Sequence, residues 1–368
     1  MADTVSDVGR FPCAQCGAQL QYQPGTTHMK CPYCGFEQAI APPAGKVQEL
    51  PYQAYLDRAT LDVTLETDAS VRCDTCGAQY SVPANQETKD CPFCGSRVIV
   101  PVNLDHRIPA NGVLPFVLRE QDGRGKLGEW LGTRFWAPND LKAMALKDGR
   151  LRGMYIPYWT FNCDTQTQYS GMRGEAYYVE VEYTDTDANG NAVTRTRTER
   201  RINWYPAAGT VEVPFEDVLV LASASLPQEQ ARRLHEWDLV DLVPYDPKWL
   251  MGFQTMRYDV DLNNGFTDAQ QVMSATIDGA IRVDIGGDEQ QILSKNTQYF
   301  DVTFKHILLP IYVGGFQYRG KAYRIVVNGR SGEVQGEAPI SVWKVLIAVL
   351  LGLVILGVIL YLYGQRRS

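Results

Sequence analysis

The last apolar stretch of the chain limits most strongly what the protein can fold into. Residues 345–363 contain no charged side chain. At a helical rise of about 1.5 Å per residue they cover roughly 28 Å, close to the hydrocarbon thickness of a bilayer. Trp343 and Lys344 stand at one end of the stretch, and Tyr361, Tyr363, Arg366 and Arg367 stand at the other, as is typical of interfacial ends. A buried core helix is the alternative, but such helices seldom lack a polar face over this length. The sequence therefore predicts a transmembrane helix over residues 343–363.

The N-terminal residues bear on which side of the membrane the rest of the chain lies. Residues 1–7 have neither the basic region nor the apolar segment of a secretory signal peptide. We therefore expect a single-pass protein of the inner (cytoplasmic) membrane with its N-terminal body in the cytoplasm. Arg366 and Arg367 favour the opposite orientation under the positive-inside rule. However, a tail this short crosses a bilayer far more easily than a folded body.

Length and charge narrow the classes of function. A chain of 368 residues with 45% apolar content is long enough for two or three domains with hydrophobic cores. Its net charge of −7 and its pI near 5.3 disfavour wholesale binding to nucleic acid or to an anionic lipid surface. The cysteine-rich segments are close to neutral: residues 10–37 carry two basic residues against one acidic, and residues 68–97 carry three against four.

Eight of the nine cysteines form an internal repeat. Both copies have the spacing Cys-x2-Cys-x14-Cys-x2-Cys, with Cys-Gly-Ala-Gln in the first half and Cys-Pro-aromatic-Cys-Gly in the second. In a reducing cytosol this spacing indicates a metal site far more often than disulfides. The predicted metal ligands are Cys13, Cys16, Cys31 and Cys34 in the first copy and Cys73, Cys76, Cys91 and Cys94 in the second.

The chemistry of four thiolates predicts zinc in a structural role. Two cysteines separated by two residues direct both sulfurs at one ion across a tight turn, and two such knuckles complete a tetrahedral site. We therefore expect two structural Zn²⁺ ions, one in each ribbon, which supply the folding free energy that a ribbon this small lacks. Crossed pairing between the repeats and an iron–sulfur centre remain as less favoured alternatives. His28 has no counterpart in the second repeat and is interpreted as a surface residue.

The rest of the sequence predicts an α+β protein with a body rich in antiparallel sheet. We predict helices over residues 125–136, 138–146, 226–237 and 267–283, with a helical turn or two over 51–58 and a strand over 61–66. Strands over 177–183 and 193–200 form a hairpin around Asn189-Gly190, and 299–318, 321–328 and 332–334 form a meander. A weak echo between residues 155–171 and 309–320 suggests two related lobes. The predicted organisation is zinc ribbon 1 at 9–40, linker 41–67, zinc ribbon 2 at 68–100, lobe 1 at 101–225, lobe 2 at 226–340 and the transmembrane helix at 343–363.

Three weaker motifs are interpreted structurally. Residues 315–322 nearly match a phosphate-binding loop but lack its Ser or Thr and lie between strands, so a hairpin tip is favoured. Cys163 is the unpaired cysteine and reads as a buried apolar residue, not as a nucleophile. Asp284 and Asp288 flank Gly286-Gly287, where the end of a helix is favoured over a cation site.

The whole length resembles the membrane-anchored double-zinc-ribbon proteins of bacteria. The resemblance is carried by the paired ribbons, by residues 155–161, 304–310 and 327–334, and by the closing anchor. Such proteins often bear labels taken from the replication-restart helicase or from the ribbons of transcription initiation factor B. Relatives of this kind are associated with SPFH (band-7) membrane scaffolds and with membrane-stress systems. The resemblance thus implies an SPFH-type protein partner, whereas no nucleotide-binding motif supports a helicase.

These observations predict a non-enzymatic, tail-anchored membrane adaptor that binds protein partners through its ribbons and body. The alternative from another class is a membrane-tethered protein that binds nucleic acid through its ribbons. The near-zero net charge of the ribbons disfavours this alternative, because binding to a phosphate backbone depends on basic residues. An enzyme acting through the α+β body ranks last, because no nucleophile or base stands out. Self-association into a homo-oligomer is compatible with the sequence.

Overall fold

The computed structural model describes the following parts of the chain: residues 11–41, 45–58, 69–72, 79–82, 88–90, 97–99, 108–141, 143, 145, 150–186, 190–223, 234, 237–318 and 321–365.

The N-terminal part consists of short strands and one helix. A three-stranded antiparallel sheet is formed by β1 (Gln21–Tyr22), β2 (His28–Lys30) and β3 (Glu37–Ala39). It is followed by β4 (Leu50–Pro51), α1 (Tyr52–Arg58), β5 (Ala69–Arg72), β6 (Gln79–Val82), β7 (Thr88–Asp90) and β8 (Arg97–Ile99). Two elements lie within the predicted linker 41–67: β4 pairs with the large sheet of the body, and α1 is the helical segment predicted over 51–58. The strand predicted over 61–66 lies outside the described residues.

The body is an antiparallel sheet with helices on it. Its elements are β9 (Gly112–Val113), α2 (Glu120–Thr133), β10 (Arg150–Thr186), β11 (Ala192–Leu221), β12 (Val243–Pro244), β13 (Gln254–Thr255), α3 (Leu262–Ile285), β14 (Glu289–Tyr318), β15 (Lys321–Asn328) and β16 (Val334–Gly336), followed by the C-terminal helix α4 (Val342–Gln365). Two 3₁₀ turns, Leu239–Asp241 and Pro247–Leu250, flank β12. The long strands lie in the order β11-β10-β14-β15-β16 and all pair antiparallel, which confirms the α+β class.

Strand β10 changes its surroundings along its length, and we name three segments of it. In the near segment, residues 151–161, nearly every side chain is buried because hydrophobic clusters cover both faces of the sheet. In the middle segment, residues 163–174, buried and accessible side chains alternate, because α3 covers one face and solvent covers the other. The distal arm comprises residues 175–186 and their partners 192–203 on β11. Strand β14 begins at the level of Gly174, so the arm has two strands.

Helix α3 explains the one-sided burial of the middle segment. Its apolar residues recur at helical spacing, and Ala269, Met273, Ile277 and Ile281 are fully or almost fully buried against the sheet. The helix begins at Leu262, five residues before the predicted start, because the Asp261 side chain accepts a hydrogen bond from the Asn264 amide at 2.8 Å. It ends at Ile285, where Gly286 takes a positive φ of 65°.

Two aligned bulges separate the near and middle segments. The pairing of β10 skips residues on both neighbouring strands at the level of Asn162. Asp217 on β11 and Asp301 on β14 adopt positive φ values of 49° and 51° there, which is uncommon for residues other than glycine. Bulges at one level on both sides allow the three long strands to change direction together.

A polar network is associated with these bulges. The Asn162 side chain accepts from the Asp217 amide at 2.6 Å and donates to Glu49 at 2.7 Å. Lys305, with a side chain only 10% exposed, lies 2.5 Å from an Asp217 oxygen and 3.8 Å from Glu49. The network therefore ties the segment before β4 to the bend of the sheet.

Several further predictions can be compared with the structure. The predicted helix 125–136 corresponds to α2, which starts at Glu120 because Asp122 accepts from the Arg119 amide at 3.0 Å. The predicted hairpin and meander are confirmed as β10–β11 and as β14, β15 and β16. Residues 141, 143 and 145 of the predicted helix 138–146 are helical, and the helix predicted over 226–237 lies almost entirely outside the described residues. The boundary predicted between lobes at 225 stays a prediction, although one sheet contains strands from both sides of it.

Candidate metal centre and membrane anchor

The first four predicted ligands converge in space. The sulfur atoms of Cys13, Cys16, Cys31 and Cys34 all lie within 4.8 Å of one another. Two of the separations, Cys13 to Cys34 and Cys16 to Cys31, are 3.5 Å. Cys13 and Cys31 are buried, whereas Cys16 and Cys34 are exposed. Fold and sequence thus agree on a four-cysteine cluster that can bind one metal ion.

Each half of the cluster is a tight turn that the residue after the second cysteine makes possible. Gly17 and Gly35 have φ values of +73° and +76°, which residues with a side chain rarely adopt. Their amides donate to the carbonyls of Cys13 and Cys31 at 2.8 and 3.1 Å. The two turns are equivalent knuckles, and they face each other across the sulfur cluster.

The donor set fits a tetrahedral thiolate site. With metal–sulfur bonds of about 2.3 Å, tetrahedral geometry separates the sulfurs by roughly 3.8 Å, close to the separations in the cluster. Amide donors from Cys34 and Tyr33 lower the pKa of Cys31 to about 6. The Phe36 amide lowers the pKa of Cys34, but desolvation and the hydrogen bonds that the protonated Cys34 thiol donates to the neighbouring sulfurs outweigh it and raise that pKa to about 12. Neighbouring thiols do not all ionise without a cation, because their negative charges repel one another. A bound divalent ion would offset this repulsion and stabilise all four thiolates.

The first ribbon is packed into the body. Leu20 and Met29 are fully buried in the same hydrophobic cluster as residues of α2, β10 and β14. Tyr22 packs edge-on against Trp249 with ring centroids 5.0 Å apart, and its hydroxyl donates to the Phe116 carbonyl at 3.0 Å. The metal cluster is therefore held at a defined place on the sheet.

For the second cysteine repeat the structure describes the four strands β5, β6, β7 and β8. Cys73, Cys76, Cys91 and Cys94 lie outside the described residues. The flanking pairs nevertheless repeat the register of the first ribbon. In the first ribbon the paired residues are Pro12↔Gln19 and Lys30↔Glu37. The equivalent pairs in the second repeat, each sixty positions later, are Arg72↔Gln79 and Asp90↔Arg97. Both Cys-x2-Cys segments of the second repeat thus join the ends of antiparallel strand pairs, as their counterparts do in the first.

Helix α4 is a candidate membrane anchor. Residues Val342–Ile359 have a mean hydropathy of 2.8, and none of them is buried against the rest of the chain. A soluble core helix of this composition would be covered by protein, so its full exposure favours lipid as its surroundings. The helix agrees with the predicted segment 343–363 at both ends to within two residues.

The weaker motifs have structural explanations. Cys163 is 5% exposed and lies 3.7 Å from the Met273 sulfur, and burial raises its pKa to about 11, which disfavours a nucleophilic thiolate. Asp284 accepts a hydrogen bond from Tyr169 at 2.6 Å, and Asp288 accepts from the Ala176 amide at 2.8 Å, so the two carboxylates serve separate contacts. Of residues 315–322, residues 315–318 belong to β14 and 321–322 belong to its antiparallel partner β15.

Two groups of residues were not predicted from the sequence. The network of Glu49, Asp217 and Lys305 joins residues more than 80 positions apart. No pattern in the sequence distinguishes these three charged residues from the charged residues near them. Contacts between Lys344 and the turn after α2 were likewise missed. A lysine at the start of an apolar helix indicates by itself only an interfacial charge.

Comparisons with known proteins add little on function. No protein-family model and no solved structure matches the chain. The chain is similar to an uncharacterized protein of Bacillus subtilis (strain 168), YdjG, with 23% identity over 338 residues. That alignment covers 91% of each chain, so the similarity extends well beyond the cysteine-rich segments.

Proposed function

We propose that this protein is a non-enzymatic membrane adaptor, anchored by α4, whose ribbons and α+β body bind a protein partner. One observation carries the proposal: a four-cysteine cluster, of which Cys13 and Cys31 are buried in the core of the body, occurs in one chain with an unburied apolar helix. A metal site that is fully ligated by protein supports shape rather than chemistry, because it leaves no open coordination position.

In this proposal each ribbon holds one structural Zn²⁺. Four thiolates at tetrahedral spacing suit zinc, which has no redox role and no demand for a particular d-electron geometry. The repeated register around the second cysteine motif supports a second, equivalent ion. Elemental analysis of the purified protein tests both: we expect two zinc ions per chain, and one in a Cys13→Ser variant. Cys163→Ser is the matched control, since it removes a buried cysteine outside the cluster and should leave two.

We further propose that the body faces the cytoplasm from the inner membrane. A reducing compartment keeps the eight cysteines of the two sequence repeats available for metal. A membrane-impermeant maleimide applied to intact cells tests this orientation, with a cysteine replacing Tyr178 on the distal arm as the reporter. Labelling only after the cells are opened supports the cytoplasmic orientation, whereas labelling of intact cells contradicts it.

The exposed tip of the first ribbon is the surface that we assign to the partner. Tyr33, at the centre of the second knuckle, is 83% exposed although it is a large aromatic residue held on a rigid turn. Rigid exposed aromatics lose little conformational entropy on binding and are enriched at binding hot spots. The resemblance to double-zinc-ribbon proteins makes an SPFH-type membrane scaffold the partner to test first.

Co-purification in mild detergent tests this assignment. The tagged full-length protein is isolated from its native membranes and its partners are identified by mass spectrometry. We expect an SPFH-type scaffold with the native chain, and a loss of at least about tenfold with Tyr33→Ser, as expected for an aromatic hot spot. Tyr178→Ser, at a residue 68% exposed on the distal arm, is the control that should retain the partner. Equal recovery of the scaffold with both variants, or recovery of no stable partner, contradicts the assignment.

The nucleic-acid alternative, in which the ribbons contact the nucleic acid, gains no support from the distal arm, because arginines of the arm contact carboxylates. Arg197 and Arg201 both contact Glu199, at 2.5 and 3.4 Å, and Arg200 contacts Glu289 at 2.5 Å. Arginines that already contact a carboxylate offer less counterion release on a phosphate backbone than unpaired ones do. A salt-sensitive gel shift with the full-length protein in nanodiscs would restore this alternative.

A further inference from the structure

An aromatic turn of the body lies directly beside the start of the anchor helix. The turn follows α2 and contains Phe135 and Trp136, which are 73% and 45% exposed and contact each other edge-on at 5.2 Å. On the other side stand Ile340 and Trp343, 67% and 75% exposed. We call these four residues the juxtamembrane patch. Its large apolar side chains are exposed together, which soluble surfaces usually avoid.

Hydrogen bonds fix the turn to the first residues of α4. The Ser341 amide donates to the Trp136 carbonyl at 2.7 Å. The Lys344 ammonium donates to the carbonyls of Phe135 and Ala137 at 2.9 and 2.7 Å, and it lies 5.6 Å from the centre of the Phe135 ring. Since Lys344 belongs to the first turn of the helix, the aromatic turn lies at the same level along the helix axis.

We propose that the juxtamembrane patch inserts into the headgroup region of the bilayer and gives the body a second contact with the membrane. This inference rests on the proposed membrane anchor, because a spanning α4 brings its first turn, and therefore Phe135 and Trp136, to the lipid–water boundary. Aromatic rings with exposed apolar faces favour that depth. Arg134, exposed and stacked over Trp130 at 4.4 Å, adds a cation at the same level, where lipid phosphates lie.

The patch has a mechanical consequence. A body joined to its anchor through a flexible tether samples many orientations, whereas two contacts at one level restrict its rotation over the membrane. The Lys344 hydrogen bonds make the helix and the turn one unit. The patch thereby sets the direction in which the ribbons and the sheet leave the bilayer.

Lipid photocrosslinking tests the inference in the full-length protein. p-Benzoylphenylalanine replaces Phe135 in protein reconstituted into vesicles of phosphatidylethanolamine and phosphatidylglycerol, and lipid adducts are counted by mass spectrometry. The same probe at Leu350, 62% exposed within α4, reports on the anchor, and the probe at Tyr178 on the distal arm is an exposed aromatic control. We expect adducts at Phe135 and Leu350, and several-fold fewer at Tyr178.

The outcomes separate this inference from the proposed anchor. If lipid adducts form at Leu350 but the level at Phe135 is no higher than at Tyr178, the second membrane contact is overturned and the proposed anchor is not affected. Failure at Leu350 overturns both. Phe135 crosslinks to protein, in place of lipid, would show that the patch is covered by a partner or a second copy and would also overturn the inference. A Lys344→Met variant should reduce adducts at Phe135 without reducing those at Leu350, because it frees the turn from the helix.

Discussion

The near segment and the distal arm belong to the same pair of strands, yet different forces stabilise them. In the near segment Tyr155, Ile156 and Trp159 are completely buried between layers on both faces. In the arm Tyr178 is 68% exposed, and cross-strand pairs and ion pairs provide the stabilising contacts. An isolated two-stranded hairpin is only marginally stable in water, so the arm depends on the paired strands beneath it. Burial therefore falls along the hairpin in steps, from two covered faces to one and then to none.

Metal removal should show the largest difference between the two regions. Isolated zinc ribbons gain on the order of 10 kcal/mol from their ion, and the first ribbon packs on the core beside the near segment. We expect a chelator to abolish hydrogen-exchange protection over residues 11–41 and to weaken it in the near segment. Protection in the distal arm should not change. Full protection of residues 11–41 after verified metal loss would contradict the assigned role of the cluster.

The second largest difference should come from replacing one aromatic side chain in each region by alanine and comparing the loss in free energy of unfolding. Trp159 is fully buried, donates to the Val260 carbonyl at 3.0 Å and packs so closely on α3 that a Cβ on Gly265 would lie 2.5 Å from its ring. We expect Trp159→Ala to lower the free energy of unfolding by about 3–5 kcal/mol, measured by denaturant titration in detergent. The matched change Tyr178→Ala should lower it by no more than about 0.5 kcal/mol. Similar losses for both variants would mean that the arm is covered in solution.

The polar network at the bulges should have an intermediate effect. Removing the nearly buried ammonium of Lys305 leaves the Asp217 and Glu49 carboxylates facing each other, and both are about 40% exposed. Solvent screens part of that repulsion, so Lys305→Ala should cost about 1–3 kcal/mol. Lys295→Ala, which removes a more exposed pair with Asp278 on α3, is the control and should cost less than about 1 kcal/mol. A smaller loss for Lys305→Ala than for the control would show that the bend does not need the network.

The smallest effect should be a pH dependence in the middle segment. Burial and the hydrogen bond to Asp284 raise the pKa of Tyr169 to about 12, above the unfolded value of 10. The folded state therefore retains this proton more strongly, and the resulting stability is complete below pH 10 and is lost as pH rises towards 12. In unfolding titrations the advantage of the native chain over Tyr169→Phe should shrink across that range. An advantage that is constant from pH 9 to pH 12 would contradict the assigned contact.

The sequence predicted elements whose signals are local. The period of Ala269, Met273 and Ile277 identified α3, the Asn189-Gly190 turn identified the hairpin, and the apolar run identified α4. For the site, the spacing of Cys13, Cys16, Cys31 and Cys34 sufficed, because knuckle geometry depends on only a few residues. These predictions share one property: each needs only neighbours in the chain.

What the sequence did not predict depends on distant contacts. The hairpin runs far beyond the predicted strands because β14, more than 100 residues away, pairs with β10 from Gly174 back to Arg150. Asp217 and Asp301 adopt positive φ values that their residue type does not indicate. The bend of the three long strands at this level therefore could not be predicted from the sequence. The hydrogen bonds of Lys344 reach a turn about 200 positions earlier, and no local pattern marks either end.

The unbroken course of β10 also determines how far this protein can reach. Its 37 residues, at about 3.3 Å each, limit the contour from Arg150 to the tip to roughly 120 Å. Arg150 pairs with β14 close to where that strand ends, and there the Tyr318 hydroxyl donates to Asp140, only a few residues after the turn that holds Lys344. The length of the strand therefore limits how far the tip of the hairpin can lie from the start of α4. Removing one residue from each strand of the hairpin would shorten this maximum distance by about 3.3 Å, and each further pair would shorten it by the same amount.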